Sequence, residues 1–479
     1  MFFMAQCSND GGGWMMRWSA VATVGALVLG AGTAHAQTRT LQDALAAAYA
    51  GNPTLQAARA QLRATDEGVP QALAGWRPTI VLSGSAGYGD GTLRTAATDF
   101  SNAATRRNAR DIFTGQATVT QPLFRGGATR AGTNQADNRV YGQRARLLAT
   151  EQQVFTNTIN AYVNVIQQQQ VLQLNINNEQ VLARQLQATQ DRFRVGEITR
   201  TDVAQAEAAL AGARATRETA EGNLQTARGT YRQYVGELPD RLVEPQPIKV
   251  PVKSQGEAVQ LSTHNNPNVI AALFDDAAAR DNIDLQFANL MPQVSVQASA
   301  ARTDNSTIYG QRTIGGQVLL NATVPVYQGG AEYSRVRQAR QQEQQARKTV
   351  DDIRRQAAQQ ATTAWETLVA ARATIESTKS QIRANQIALE GVQREAIVGS
   401  RTTLDVLNAE QALLNSRVTL VQNLANLITA SYTLAAAVGR LSARDLNLNV
   451  PLYDDTAYYN AVRDRLFGVS DYAVEQPGR

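Results

Sequence analysis

One long stretch of this sequence governs how the chain can fold. Residues 127–193 read GATRAGTNQADNRVYGQRARLLATEQQVFTNTINAYVNVIQQQQVLQLNINNEQVLARQLQATQDRF, 67 residues without a proline, and a Val195-Gly196 turn follows. A continuous helix of this length would extend for about 100 Å, because an α-helix rises about 1.5 Å per residue. Such a helix cannot fold back into a compact core. The sequence therefore predicts that it packs sideways against other long helices.

A second copy of this element lies 203 residues further along, counted from Val195 to Val398. Residues 121–127, QPLFRGG, correspond to residues 324–330, VPVYQGG, and no gap interrupts the correspondence up to the second turn. A shorter return segment follows each long run. The chain is therefore predicted to contain two antiparallel helical hairpins, at residues 127–236 and 330–439.

The segments that precede each hairpin alternate with a period of two. Ile80, Leu82, Ala86 and Tyr88 alternate with residues that are small or polar apart from Val81, and the second half repeats the pattern from Val294. This period indicates strands with one apolar and one polar face. Strands of about ten residues, when tilted, cross a bilayer as part of a barrel. The predicted strands span residues 79–90, 112–123, 293–302 and 316–326.

The chain accordingly divides into two repeats with flanking segments. Its amino terminus carries Arg17, an apolar run over residues 20–29 and an Ala34-His35-Ala36 cleavage pattern, so a secretory signal is predicted, with Met1 or Met15-Met16 as alternative starts. The first repeat has eleven extra residues, which belong in the loop at 91–111. The predicted divisions are a signal peptide at 1–36, a first repeat at 37–240, an equatorial linker at 241–257, a second repeat at 258–441, and an equatorial, periplasmic tail at 442–479.

Composition argues against several functional classes. The net charge is +5, but the arginines are spread along the helices without a basic run, which argues against nucleic-acid binding. The only cysteine is Cys7, and His264 is the one histidine beyond the predicted signal. A Gly-x-Ser-x-Gly elbow is absent, and residues 127–132 lack the lysine of a phosphate loop. No enzyme, cofactor or metal site is therefore expected.

Four strands per chain cannot form a closed barrel. About eight strands are the minimum, and an exposed strand edge is not tolerated in lipid, so the chain is predicted to oligomerise. Three copies would supply twelve strands and twelve long helical segments around a hollow cylinder. Phe155, Ile159, Tyr162 and Ile166 recur as in a coiled-coil seam, which fits side-by-side helix packing. An ordinary soluble helical bundle is the alternative interpretation.

In combination, these features resemble the TolC family of trimeric outer-membrane channel proteins over residues 41–441. The resemblance depends on the two motifs at 121–127 and 324–330 and on the turn blocks at 192–203 and 398–407. It implies a mainly α fold with a twelve-stranded β-barrel in the outer membrane of a Gram-negative bacterium and a twelve-helix tunnel in the periplasm. It also implies a homotrimer in outer-membrane lipid that meets a periplasmic adaptor protein and an inner-membrane transporter.

The resemblance assigns the two turns to adaptor docking. The corresponding residues are Val195, Gly196, Val398 and Gly399. The alternative is purely conformational, because a glycine at a tight turn supplies a positive φ that other residues rarely adopt.

The resemblance also implies a periplasmic gate beside the turns. In relatives, the residue matching Asp405 forms a ring of three carboxylates, and the residue matching Arg401 ties its hairpin to Thr201-Asp202 of a neighbouring hairpin. Asn408 stands where relatives carry a second acidic residue, which weakens the expected cation block. The alternative is structural, because Thr199-x-x-Asp202 and Thr402-x-x-Asp405 both match a helix-capping box.

Two transport roles remain open. The tail at residues 450–468 resembles the type I secretion branch, in which an ABC transporter and an adaptor deliver protein cargo. The absence of a lipidation cysteine after the signal also disfavours one common drug-efflux branch. The alternatives are the outer-membrane component of a small-molecule efflux pump, driven by a proton-driven pump, and a periplasmic coiled-coil scaffold without a pore.

Overall fold

The structure, a computed structural model, describes residues 39–97 and 103–470. The predicted signal peptide at 1–36 lies outside the described residues, as do residues 98–102 of the first strand loop and residues 471–479 of the tail. The helices are α1 (Leu41–Gly51), α2 (Pro53–Asp66), α3 (Gly68–Leu73), α4 (Ala128–Arg194), α5 (Arg200–Val235), α6 (Gln255–Asn265), α7 (Pro267–Ala288), α8 (Ala331–Ile397), α9 (Thr403–Ala437) and α10 (Ala457–Val462). The strands are β1 (Thr79–Gly89), β2 (Thr92–Thr95), β3 (Ala104–Arg107), β4 (Arg110–Arg125), β5 (Gln293–Asp304) and β6 (Arg312–Thr323).

The predicted long helices are continuous. α4 and α8 each contain 67 residues and begin after Gly127 and Gly330, whose φ angles are +91° and +82°. A positive φ ends the preceding extended segment sharply, and the absence of proline lets each helix run unbroken. α5 returns along α4 and α9 returns along α8, which forms two antiparallel hairpins.

The helix breaks near the start of each repeat have a common cause. Asn52 and Asn266 are extended residues whose side chains accept a hydrogen bond from the backbone N–H two residues on. A proline at the first helical position follows each asparagine, where its missing N–H costs nothing. α7 then packs between α4 and α8.

Four strands form one antiparallel sheet in the order β1-β4-β5-β6. The register pairs Ala117 with Ala300 and Ala298 with Val318. Because directly opposite residues share a face, the apolar sides of all four strands coincide. The sheet thus has one apolar face and one polar face, as the alternation predicts.

The strand ends differ from the predicted ones where pairing decides them. β4 runs to Arg125, beyond the predicted 123, because β5 pairs with it up to that residue through an irregularity between Pro122 and Phe124. β6 occupies 312–323 where 316–326 is predicted, because the residues after Thr323 have no neighbouring strand within the chain. The sequence also failed to predict the small hairpin of β2 and β3, which lies within the predicted loop at 91–111.

The best-packed part of the helical region lies about halfway along α4. Phe155, Ile159 and Tyr162 are at most 1% exposed. The Tyr162 hydroxyl lies 2.9 Å from the carbonyl oxygen of Arg39 and 2.6 Å from that of Val243. The linker at 241–257 is therefore attached through Val243 to the middle of α4. Among the described residues, no helix combines the length and apolarity that a bilayer-spanning helix needs.

Candidate functional site: the two hairpin tips

Both hairpin tips have the same backbone geometry. The N–H of Gly196 donates to the carbonyl oxygen of Phe193 at 2.9 Å, and the N–H of Glu197 donates to that of Arg192 at 3.0 Å. Gly399 and Ser400 repeat this pair of bonds at the second tip. This arrangement is a Schellman motif, which requires a left-handed residue, and both glycines have φ of +81°. The conformational role of the two glycines is therefore present in the structure.

The tips present apolar side chains to solvent. Val195 is 78% exposed, Val398 is 79% exposed and Ile397 is 77% exposed. Their neighbours in the turns are also exposed, so each tip presents a small apolar surface among polar residues. Because Val195 and Val398 have negative φ angles, their identities are not dictated by the backbone.

A capping box begins each return helix. The Asp202 carboxylate accepts the N–H of Thr199 at 3.0 Å, and the Asp405 carboxylate accepts the N–H of Thr402 at 2.9 Å. Each threonine hydroxyl donates to the same carboxylate and accepts a hydrogen bond from the backbone N–H of that aspartate. These bonds lower the pKa of both carboxyl groups, chiefly through the Thr199 hydroxyl for Asp202 and through the Thr402 backbone for Asp405. Both carboxylates therefore have a structural role in one chain, whatever further role they have.

The ion pairs of the two tips are reversed in charge. Arg192 donates to Glu197 at 2.7 Å in the first tip, whereas Arg401 donates to Glu395 at 2.9 Å in the second. Position 395 corresponds to position 192, so the duplication has exchanged an arginine for a glutamate there. Periodicity cannot reveal this exchange, although aligning the two repeats residue by residue could have done so.

The predicted gate residues are only partly brought together within one chain. Arg401 pairs with Glu395 of its own turn, while the hydroxyl of Thr403, which is 9% exposed, helps to lower the pKa of Asp202. Asn408 is exposed, and Thr201 is exposed on the first return helix. A ring of three carboxylates at Asp405 needs other copies, so the chain alone cannot form it.

An apolar cluster, not predicted from the sequence, joins the two hairpins just above the tips. It comprises Leu182, Leu210, Ala213 and Leu407, and Leu407 is the only one of these on the second hairpin. Glu410, one turn further along α9, accepts a hydrogen bond from Gln393 at 3.2 Å, and burial raises the pKa of this carboxyl group. The tips are therefore held as one unit by packing above them.

An elongated pair of helical hairpins beneath a sheet with one apolar face defines the class of outer-membrane channel-tunnel proteins. The model of the outer membrane efflux protein family matches residues 41–237 and 258–440, so the chain belongs to this family, the TolC family. Its members are channels and not enzymes. They lie in the outer membrane of Gram-negative bacteria with a long periplasmic portion, and they work with periplasmic adaptors and inner-membrane transporters.

Individual relatives agree with this placement. The chain is 36% identical over 453 residues to outer membrane efflux protein BepC of Brucella suis biovar 1 (strain 1330), covering 93% of this chain and 96% of BepC. It is 26% identical over 433 residues to outer membrane protein TolC of Escherichia coli (strain K12), covering 86% and 84% of the two chains. The solved structure of outer membrane protein VceC from Vibrio cholerae has the same fold, with a TM-score of 0.71, 21% identity, and coverage of 83% and 96%.

Proposed function

We propose that three copies of this chain form the exit duct of a tripartite export system. The observation that carries this proposal is a four-stranded sheet with one apolar face and two open edges, joined to helical hairpins about 100 Å long. An open edge is not tolerated in lipid, so the sheet must close with other copies. Three copies give twelve strands, and the diameter of a barrel grows with the number of its strands beyond the roughly eight whose interior side chains fill.

The tips are the proposed docking site for the adaptor protein. Val195, Val398 and Ile397 are the exposed apolar side chains that a partner's hairpins would cover. Gly196 and Gly399 shape the turns, so in this proposal their role is to present the neighbouring valines.

The proposed gate lies beside the tips. Three Asp405 carboxylates close together would repel one another and attract cations. Arg401 would exchange its bond to Glu395 for a bond to Thr201-Asp202 of a neighbouring hairpin when the entrance closes. Each such link is exposed to water, which weakens it, so opening by a partner needs little free energy.

The proposed cargo is protein, delivered by an ABC transporter through the adaptor. The sequence of the tail at 450–468 supports this choice. A small-molecule efflux pump is the second candidate, because the name of BepC, to which the chain is 36% identical, describes an efflux protein. Deleting the chain separates them: loss of one secreted protein with unchanged drug sensitivity supports secretion, and drug sensitivity with unchanged secretion supports efflux.

Docking is tested by placing charge on the tips. Val195→Glu with Val398→Glu should abolish export, while the assembled trimer and its conductance in planar bilayers stay as in the parent protein. Gln180→Glu with Gln381→Glu is the matched control, because it adds the same two charges at exposed sites on α4 and α8, about four to five turns above the tips. Unchanged export in the double valine variant would reject docking at these tips.

A further inference from the structure

The carboxyl-terminal tail runs along α2 toward the sheet. The N–H of Tyr453 donates to the Tyr49 hydroxyl at 3.0 Å, just before α2 begins. The Tyr458 hydroxyl donates to Glu67 at 2.8 Å, just after α2 ends. Because α2 has 14 residues and extends for about 20 Å, the tail approaches the sheet by roughly that distance between these two contacts.

A third contact attaches the tail where the chain enters the sheet. Arg77, two residues before β1, donates to the carbonyl oxygen of Arg465 at 2.9 Å. The carbonyl oxygen of the neighbouring Trp76 accepts a hydrogen bond from Gln121 of β4 at 3.0 Å. In the proposed channel the sheet crosses the outer membrane and the helices lie in the periplasm. The third contact is therefore at the level of the periplasmic surface of that membrane.

Residues 465–470 form a closed loop at this level. The guanidinium of Arg465 donates to the carbonyl oxygen of Ser470 at 2.8 Å and also to the Ser470 hydroxyl. Gly468 turns the loop with a φ of +109°, a conformation that residues with a side chain rarely adopt. One arginine side chain therefore joins the two ends of the loop.

The loop presents three apolar side chains to solvent. Leu466 is 71% exposed, Phe467 is 88% exposed and Val469 is fully exposed. Trp76, next to the arginine that bonds the loop, is also exposed, as is Leu123 near the matching end of β4. Neighbouring exposed apolar residues mark surfaces that contact a partner or a membrane, and aromatic residues are enriched at the membrane–water interface.

We propose that Leu466, Phe467 and Val469 insert into the periplasmic leaflet of the outer membrane, beside the point where β1 enters it. This inference rests on the proposed channel, because the channel determines which end of the sheet faces the periplasm. The occupant of the apolar surface is then phospholipid. Apolar segments that lie in a membrane interface enter it by about 5–10 Å, so the contact is shallow.

The rest of the tail packs on its own chain, which favours lipid over a neighbouring copy as the occupant. Tyr458 bonds Glu67 at the end of α2, and the hydroxyl of Tyr459 lies 2.9 Å from the carboxylate of Asp137 on α4. α10 therefore bridges α2 and α4 of the same chain. The loop follows α10 and lies at the base of the sheet, where lipid would surround the strands.

Depth-dependent fluorescence quenching tests the contact. The sequence has one cysteine, so Cys7→Ser gives a thiol-free background in which Phe467→Cys is labelled with a nitrobenzoxadiazole dye. The labelled protein is reconstituted into vesicles of phosphatidylethanolamine and phosphatidylglycerol. Part of the lipid carries a nitroxide, either near the headgroup or near the end of the acyl chain. The label should be quenched, and more strongly by the nitroxide near the headgroup.

Three exposed apolar residues serve as matched control sites. Ile80→Cys reports on the sheet itself, and its label should be quenched. Leu452→Cys lies on the same tail beside Tyr453, about 20 Å further from the sheet, and Val195→Cys lies at a hairpin tip. Neither of these two labels should be quenched.

A second measurement separates the loop from its label. With Phe467 and Val469 intact, a label at Leu466→Cys should be quenched by the nitroxide near the headgroup. Phe467→Asp with Val469→Asp should remove most of that quenching, because charged side chains oppose entry of the loop into the bilayer. Quenching that survives the double substitution would show that the dye alone enters the lipid and would overturn the proposal.

The control sites distinguish failure of this proposal from failure of the proposed channel. Quenching at position 467 that is no stronger than at Leu452 would overturn lipid contact while Ile80 still reports a sheet in the membrane. Protection of the label at position 467 from aqueous iodide would then indicate a neighbouring copy as the occupant. A label at Ile80 that is not quenched would reject the sheet as the membrane-spanning part, and both proposals with it.

Discussion

Asp66 is the buried group whose replacement should change stability most clearly. It ends α2, is 1% exposed, and neither carboxylate oxygen accepts a hydrogen bond from any of the described residues. Burial raises its pKa to about 7; Arg144 opposes the rise, and Asp455 adds to it. Glu67 raises this pKa further and Arg63 lowers it. The Arg144 guanidinium lies 3.8 Å from the Asp455 carboxylate, so it is shared between the two acids.

The sign of the effect follows from proton uptake. Because the carboxyl group titrates near 3.8 in the unfolded chain and near 7 in the folded chain, the folded state holds an extra proton between these pH values. The free energy of unfolding therefore falls as pH rises through this window and is lowest above pH 7. A shift of about three units corresponds to roughly 4 kcal/mol. Asp66→Asn should remove most of this penalty at pH 8 and change little near pH 4.

The assay is urea unfolding of the full-length protein in detergent, followed by near-ultraviolet circular dichroism between pH 4 and pH 8. Asp43→Asn is the control, because bonds from Thr40 lower the pKa of Asp43 and its contribution should appear as pH rises. A difference between Asp66→Asn and the parent protein that does not grow with pH would refute burial of an unpaired carboxylate at this position.

Three other predictions concern the tips. Thr402→Ala removes the cap of α9 and should cost about 0.5–2 kcal/mol, seen as faster hydrogen exchange over residues 402–406 with unchanged conductance. Asp405→Asn should lower cation selectivity measured from reversal potentials in a salt gradient, whereas a purely capping residue would leave selectivity unchanged. Asp202→Ala with Arg401→Ser should raise single-channel conductance if these residues hold the entrance closed, and conductance equal to the parent value would assign both to local structure.

Much of the fold was predictable because it is set by the spacing of apolar residues and by the positions of glycine and proline. Proline-free runs bounded by Gly127 and Gly330 specify the long helices, and alternation specifies which face of each strand is apolar. The duplication specifies where each element recurs. These signals are local, and the structure agrees with them at α4 and α8 within one or two residues.

The remaining features depend on what lies beside each element. β6 ends at Thr323 because nothing covers its far side, although its sequence continues like that of β4. Arg401 bonds Glu395 because position 395 carries a glutamate where the first repeat has Arg192. The spacing of apolar residues does not reveal such a difference in charge. Asp66 looks like an ordinary acid at a helix end, and it is buried where α4 and the tail, both distant in sequence, pack against α2.

The central claim is that the sheets of several copies join into one closed barrel. Counting the chains per particle tests this claim most directly. Native mass spectrometry of the detergent-solubilised protein, together with planar-bilayer recording of the same sample, should show three chains per particle and stable ion-conducting channels. A sample that contains one chain per particle and conducts no ions would contradict the account.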